Sequence, residues 1–157
     1  VVGDMTTTVV DGMFSLVYLV FNTIGNVRTQ EAQVAVFQNA ARHLEPGGHF
    51  VVEVGVPDLQ RLPPGETVKP FLVTEDRWGF DEYDLVTQEA ASHHFINRDG
   101  ELEHFVCPYR FVWPSELDLM ARLAGMTLTE RWADWNRNAF TAESPGHVSV
   151  WKKPADA

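Results

Sequence analysis

The stretch GMFSLVYLVFNTIGN, residues 12–26, constrains the fold more than any other part of the sequence. From Phe14 to Phe21 it is apolar or aromatic at every position except Ser15. A run of that kind predicts a strand buried on both faces, as in the middle of a parallel sheet. It stops abruptly in Asn22-Thr23-Ile24-Gly25-Asn26. Small polar residues just past the carboxyl end of a central strand mark the place where open α/β sheets hold their ligands. An ordinary polar loop is the competing reading.

The rest of the chain builds an α/β pattern around this strand. Thr29 can cap a helix, and Glu31 suits its first turn. Ala32, Val36, Phe37, Ala40, Ala41 and Leu44 recur at helical spacing. Pro46-Gly47-Gly48 should end the helix, and 49–55 reads as a second buried strand with a structural carboxylate, Glu53, inside it. Strand, helix and strand joined by short loops predict a right-handed parallel crossover. Residues 57–70, with Pro57, Pro63, Pro64, Gly65 and Pro70, read as an irregular connection. Two long extended stretches, Glu82–Ile96 and Glu101–Trp113, flank the turn Asn97-Arg98-Asp99-Gly100. They predict an inserted antiparallel hairpin, a subregion of about 71–113, lying over the strand ends as a lid or platform, or mediating a homodimer. Ser115 and Asp118 suggest a capping box for a second helix. Its apolar face would hold Leu117, Met120, Ala121 and Ala124, widened by Leu119 and Leu123, with Gly125 as terminator. Strands are expected at 128–135 and 147–152, pairing antiparallel at one edge, with a polar loop over 136–146.

Composition narrows the function. The sequence carries 22 acidic against 12 basic residues, a formal charge of −10, which argues against nucleic acid or an anionic membrane as partner. One cysteine, Cys107, excludes an internal disulfide and a Cys-rich zinc site and fits a reducing, cytoplasmic compartment. No apolar run reaches the roughly 18 residues of a membrane span. The opening Val1-Val2-Gly3-Asp4, without Met, reads as the tail of a strand and the loop after it. It predicts a sequence that lacks its beginning; a short native N-terminus that begins with an edge strand is the alternative reading.

Taken in order, GDM, FSLVYLVFNTIGN, a helix, LEPGGHFVVEV, a hairpin and SELDLMARLAGM resemble the C-terminal part of a class I S-adenosylmethionine-dependent methyltransferase. The likeness is greatest to small-molecule N-methyltransferases that act on amino sugars. The resemblance implies a Rossmann-like methyltransferase sheet with the inserted hairpin, and S-adenosyl-L-methionine as cofactor. It places Asp4 where the family's acid accepts from the adenine amino group, and Met5 against the adenine ring. Asp4 equally suits a turn cap. Leu19 and Val20 fall beside the methionine part of the cofactor, and Phe21 and Asn22 near the methyl donor and substrate entrance. The family's glycine-rich loop and ribose-binding acid have no counterpart, because none of the 11 glycines forms G-x-G. On this reading 1–157 is a partial methyltransferase domain.

Substrate contacts would come from the hairpin and its approach: Trp78, Tyr83 and Arg110 for binding, His93 and Tyr109 for catalysis. Imidazole titrates near neutrality and can take a proton from an attacking nucleophile. His93 and His94 point to opposite faces of a strand, whereas His93 and His104 share one if the turn is tight. No third metal ligand accompanies them, so no metal is expected. The implied activity is methyl transfer to a small-molecule acceptor, an amine favoured, as part of a longer protein. A non-catalytic methyltransferase-like fragment that binds a partner chain is the alternative, and a nicotinamide oxidoreductase is a third class.

Overall fold

The strand foreseen in the 12–26 stretch forms as β1, Phe14–Leu19. The helix after it is α1, Gln30–His43, capped by Thr29, whose Oγ1 accepts from the Ala32 amide at 3.1 Å. The chain then runs without a turn into β2, Leu44–Gly55. Pro46 and the glycines lie inside this strand instead of separating it from the helix. Gly48 is needed there: a Cβ would sit 3.0 Å from the Glu45 carbonyl oxygen and 3.1 Å from that of Phe14. β1 and β2 pair in parallel, Leu16 opposite His49 and Leu19 opposite Val52, as the crossover predicts.

A computed structural model describes residues 1–60 and 62–155. They fall into two units, one formed by Val1–Pro57 with the segment from Val112 onward, the other by Asp58–Phe111. In the first unit α2, Pro114–Leu123, is followed by β7, Thr127–Trp132, and β8, Gly146–Lys152. The sheet order is β1-β2-β8-β7, with β8 antiparallel to both neighbours. The antiparallel pair at the β7 edge is therefore as expected.

Two expectations fail here. β1 lies at the other edge of this sheet and not in its middle. Alternate residues Phe14, Leu16 and Tyr18 are exposed, at 39%, 51% and 62%, while Val17 and Leu19 pack on the core. An apolar run records a strand's tolerance for burial on both faces, but burial itself needs an element packed on each face, and among the described residues only the face of Val17 and Leu19 has one. The capping box is absent as well. Trp113 is the N-cap and Pro114 opens the helix, leaving Asp118 free to bond Arg131 and Trp151. Leu119 and Leu123 are exposed and do not widen the apolar face.

The core of this unit joins both helices to the sheet. Phe37 of α1 meets Phe50 edge-on at 5.0 Å and Trp151 at 5.3 Å; Leu117 and Met120 of α2 are buried in the same cluster. Each fully buried side chain of this size contributes roughly 1.5–3 kcal/mol.

The second unit is a four-stranded antiparallel sheet: β3, Val68–Val73; β4, Arg77–Tyr83; β5, Glu89–Arg98; and β6, Glu101–Arg110. β5 and β6 pair about the foreseen turn, Arg98 opposite Glu101. The first arm of the hairpin is not the single strand Glu82–Ile96, because a turn at 84–88 divides it into β4 and β5. Asp84 Oδ1 accepts from the amides of Val86 and Thr87, and Gln88 takes φ 61°. The irregular connection read over 57–70 ends early, because β3 begins at Val68.

Lys153 satisfies the end of α1, its Nζ donating to the carbonyls of Ala41 at 2.9 Å and Leu44 at 2.7 Å. Replacing Lys153 by Met should lower stability by about 1–2 kcal/mol, measured as a shift in urea midpoint with unchanged slope.

Candidate functional site

The chain leaves β1 in a constrained loop. Phe21 and Asn22 both hold left-handed backbone, φ 55° and 56°. Asn tolerates this conformation, but for a bulky residue such as Phe it is an outlier of the kind that collects at functional loops. Two contacts to β2 fix it. The Phe21 amide donates to Glu53 Oε2 at 3.0 Å, and Asn22 Oδ1 accepts from the Gly55 amide. Glu53 is thus the structural carboxylate the sequence suggests. A short 3-10 turn, Thr23–Asn26, follows and buries Ile24.

This loop forms one wall of a cavity of about 240 Å³. Phe21, Asn22, Glu53, Asp134 and His147 line it, and its lining contains two carboxylates and no Lys or Arg. The site therefore suits a neutral or cationic guest better than an anion. Asp134 is held by its own loop: Oδ1 accepts from the Asn136 amide and Oδ2 from Asn138 Nδ2. Those bonds, that of the Asn138 side chain foremost, keep its carboxyl below the usual range.

His147 was not singled out in the sequence. It is 1% exposed. Burial first, and the Arg131 charge second, push it down to about 4. Its Nδ1 lies 2.7 Å from Ser149 Oγ, and its Nε2 has no hydrogen-bond partner. The signal available in the sequence was the alternation His147-Val-Ser149-Val-Trp151, which puts two polar groups on the face of a buried tryptophan.

A second cavity, of about 270 Å³, brings together Asp4, Met5 and Leu19 of the predicted cofactor residues. Val20 lines neither cavity. The walls are mostly apolar: Val17, Val36, Ala40 and Phe50. Asp4 Oδ1 accepts from both the amide and the hydroxyl of Thr6, so the turn-capping role is realised. The Thr6 amide, then its hydroxyl, holds the Asp4 carboxyl down and ionised. Asn39, also in this lining, ties the N-terminal loop to α1 by donating from Nδ2 to the carbonyls of Met5 at 3.0 Å and Thr8 at 2.9 Å. Its Oδ1 is buried without a partner.

The antiparallel sheet separates the two predicted catalytic residues. His93 stands opposite Val106 and Ala90 opposite Tyr109, so by strand alternation His93 and Tyr109 lie on opposite faces. On the His93 face, Trp78 stacks on Phe95 at 5.8 Å and Phe80 on His93 at 4.6 Å. His93 Nδ1 lies 3.3 Å from His104 Nε2, so the two share a face as expected. Among the described residues no three His, Cys, Asp or Glu side chains cluster as metal ligands. On the other face Asp81 accepts from the Tyr83 hydroxyl and from Ser92 Oγ. Burial foremost raises both Tyr83 and Tyr109, so both phenols remain protonated at neutral pH. Arg110 is buried and donates to Gln88 Oε1 at 3.1 Å, bracing the turn at 84–88.

The sequence matches no family profile and no curated protein. Solved structures do match. The CcbJ methyltransferase from Streptomyces caelestis is 34% identical with a TM-score of 0.86 over 99% of this chain and 63% of that one. CalS10, an amino pentose methyltransferase from Micromonospora echinaspora, is 20% identical over 96% of this chain and 63% of its own, TM-score 0.69. DesVI from Streptomyces venezuelae is 24% identical over 98% of this chain and 64% of its own, TM-score 0.65. The fold is therefore that of class I S-adenosylmethionine-dependent methyltransferases. The chain spans less than two-thirds of the length of each of these relatives. Among the described residues no helix is long and apolar enough to cross a membrane.

The depressed His147 sets a pH dependence. A histidine that titrates near 6.5 when unfolded and about 4 when folded leaves the unfolded chain binding more protons between those values. The folded form is favoured fully above pH 6.5. It loses up to about 3 kcal/mol as the pH falls to about 4. Denaturant midpoints measured across that window should fall, and His147→Gln should flatten the curve.

Proposed function

We propose that this chain forms part of an enzyme that transfers a methyl group from S-adenosyl-L-methionine to a small-molecule acceptor, an amine favoured. The observation that carries the reaction class is the 34% identity to the CcbJ methyltransferase across 99% of this chain. The relatives' greater length supports a longer protein, 1–157 being a partial methyltransferase domain with its inserted sheet.

Asp4, Met5 and Leu19, which share a cavity, and Val20 beyond it would hold the cofactor. The buried acceptor Asn39 Oδ1 in the same lining suits an amino group. Bound there, the cofactor supplies an electrophilic methyl on a sulfonium. The protein has to place an acceptor in line and exclude water. Phe21 and Asn22 form the entrance to the acceptor's cavity. Its carboxylates suit an amine, which arrives protonated and must lose that proton before it attacks. Of the predicted pair, His93 is the group that can take a proton, whereas protonated Tyr109 can only donate or accept a hydrogen bond. They lie on opposite faces of their own sheet, so at most one of them serves as the catalytic group. Trp78 belongs to the His93 face, Tyr83 to the Tyr109 face; Arg110 shapes the sheet's end. A homodimer through this sheet accords with the exposed Leu102 and Val106, which share one face of β6.

A second reading, a methyltransferase-like subunit that binds a partner chain, is favoured by the open β1 edge with Phe14, Leu16 and Tyr18 exposed.

Calorimetry with S-adenosylhomocysteine tests the first reading. The 157-residue chain should bind weakly or not at all. A version extended upstream by a strand, G-x-G loop and helix should bind, and Asp4→Ala should weaken it. Micromolar binding by the short chain, insensitive to Asp4→Ala, would show that the site lies elsewhere. In the extended protein Glu53→Gln keeps the acceptor for the Phe21 amide but removes the charge. It should raise KM for an amine about tenfold while leaving cofactor affinity unchanged.

A further inference from the structure

Along β8, His147, Ser149 and Trp151 occupy one buried face, opposite Val54, Val52 and Phe50 of β2. The hydrogen bonds of this row run in one direction. Arg131 Nε donates to Ser149 Oγ at 2.7 Å, and the same oxygen lies 2.7 Å from His147 Nδ1. A serine hydroxyl has one hydrogen to give. Its two lone pairs have room for Arg131 Nε–H and for a hydrogen on Nδ1, but among the described residues the hydroxyl's own hydrogen has no other acceptor, so it is assigned to Nδ1. The neutral ring then carries its own proton on Nε2.

Arg131 is not free to reverse this order. Its Nη2 and Nη1 donate to Asp118 Oδ1 and Oδ2 at 2.7 and 3.2 Å, and Trp151 Nε1 donates to Asp118 Oδ1 at 3.0 Å. Phe140 packs edge-on against the imidazole at 5.5 Å. Ser149 and Phe140 together orient the ring. The row ends on a buried Nε2 that has no hydrogen-bond partner, an uncommon feature of a folded interior. His147 is at the same time part of the lining of the 240 Å³ cavity.

We propose that His147 Nε2–H is the cavity's recognition donor for an uncharged oxygen, a hydroxyl or carbonyl, on the small molecule that binds there. The proposal deepens the acceptor site of the preceding reading and rests on it for the identity of the guest. The charged groups of the lining are Glu53 and Asp134, so a carboxylate or phosphate oxygen is repelled where a neutral one is not. The same lining leaves an ammonium or hydroxyl hydrogen free to face Glu53. A guest carrying an amine and a neutral oxygen satisfies both. Nε2 is closed to solvent, so a shift of the ring or of Phe140 accompanies contact.

The test uses the 157-residue chain, since every residue concerned lies in it. Proton–nitrogen correlation spectra report the tautomer of His147 directly. Glucosamine, glucose and cyclohexylamine are added in turn: amine plus oxygens, oxygens alone, and amine alone. The Nε2–H tautomer should be seen at neutral pH, and its signal should move with both sugars and not with cyclohexylamine. His147→Phe should weaken glucosamine binding about tenfold and His147→Gln, which keeps a donor, should restore most of it. Ser149→Ala should release the tautomer and weaken binding in a chain whose circular dichroism is native. An Nδ1–H tautomer in the parent chain, or an Nε2 signal unmoved by either sugar, overturns the proposal, and neither observation requires the substituted chains to fold. No cofactor takes part, so a failure of the methyl-transfer reading would show separately, as an extended protein that methylates no amine while the His147 signal still moves.

Discussion

Arg131 ties three elements together through a single side chain. It stands on β7, chelates Asp118 of α2 and donates to Ser149 of β8. A guanidinium that is largely buried is costly unless every donor has a partner. That demand fixes the angle at which α2 lies on the sheet edge. It also fixes the hydroxyl of Ser149, and through it the imidazole of His147. The mostly apolar core sets the distance between layers, whereas this one cation sets orientation. A lysine could not replace it, because a point charge lacks the planar fork that engages carboxylate and hydroxyl together.

The loop after β1 shows the same division between packing and direction. Phe21 and Asn22 adopt left-handed backbone that costs about 1–3 kcal/mol in each unfavourable case. The conformation turns the Phe21 amide toward Glu53 and the Asn22 side-chain oxygen, Oδ1, toward the Gly55 amide. β1 and β2 are therefore tied beyond the end of their ladder, and the cavity keeps a defined mouth.

Much of the first unit was legible in the sequence because its signals are local. The Thr29 cap, the apolar stripe of α1 and the parallel strand after it need only nearest-neighbour chemistry. What escaped was relational. Nothing in FSLVYL says how many neighbours the strand has, so its edge position was invisible. The turn at 84–88 has no Gly or Pro, and it exposes Leu85 and Val86. It reads as strand because side-chain caps from Asp84 stand in for the usual turn residues. Pro70 concealed β3, which is an edge strand and can spare the missing amide. The site divides likewise. Asp4, Met5 and Leu19 were drawn together by resemblance and do share a cavity. His147 looked like one polar position in a short terminal strand. Its significance depends on Arg131, 16 positions earlier in sequence numbering, and on a hydrogen-bond order that only coordinates reveal.

The outer side of β1 makes this chain a template. Its amides and carbonyls on that side lack a ladder partner among the described residues, and the side chains of Phe14, Leu16 and Tyr18 stand exposed beside them. Such a row is a surface on which an extended strand can pair. The counterweight is charge: at −10 the molecules repel one another over about a Debye length, roughly 10 Å in 0.1 M salt. Colloidal behaviour therefore hangs on the solvent more than on the core. Salt screens that repulsion and leaves the buried core almost untouched.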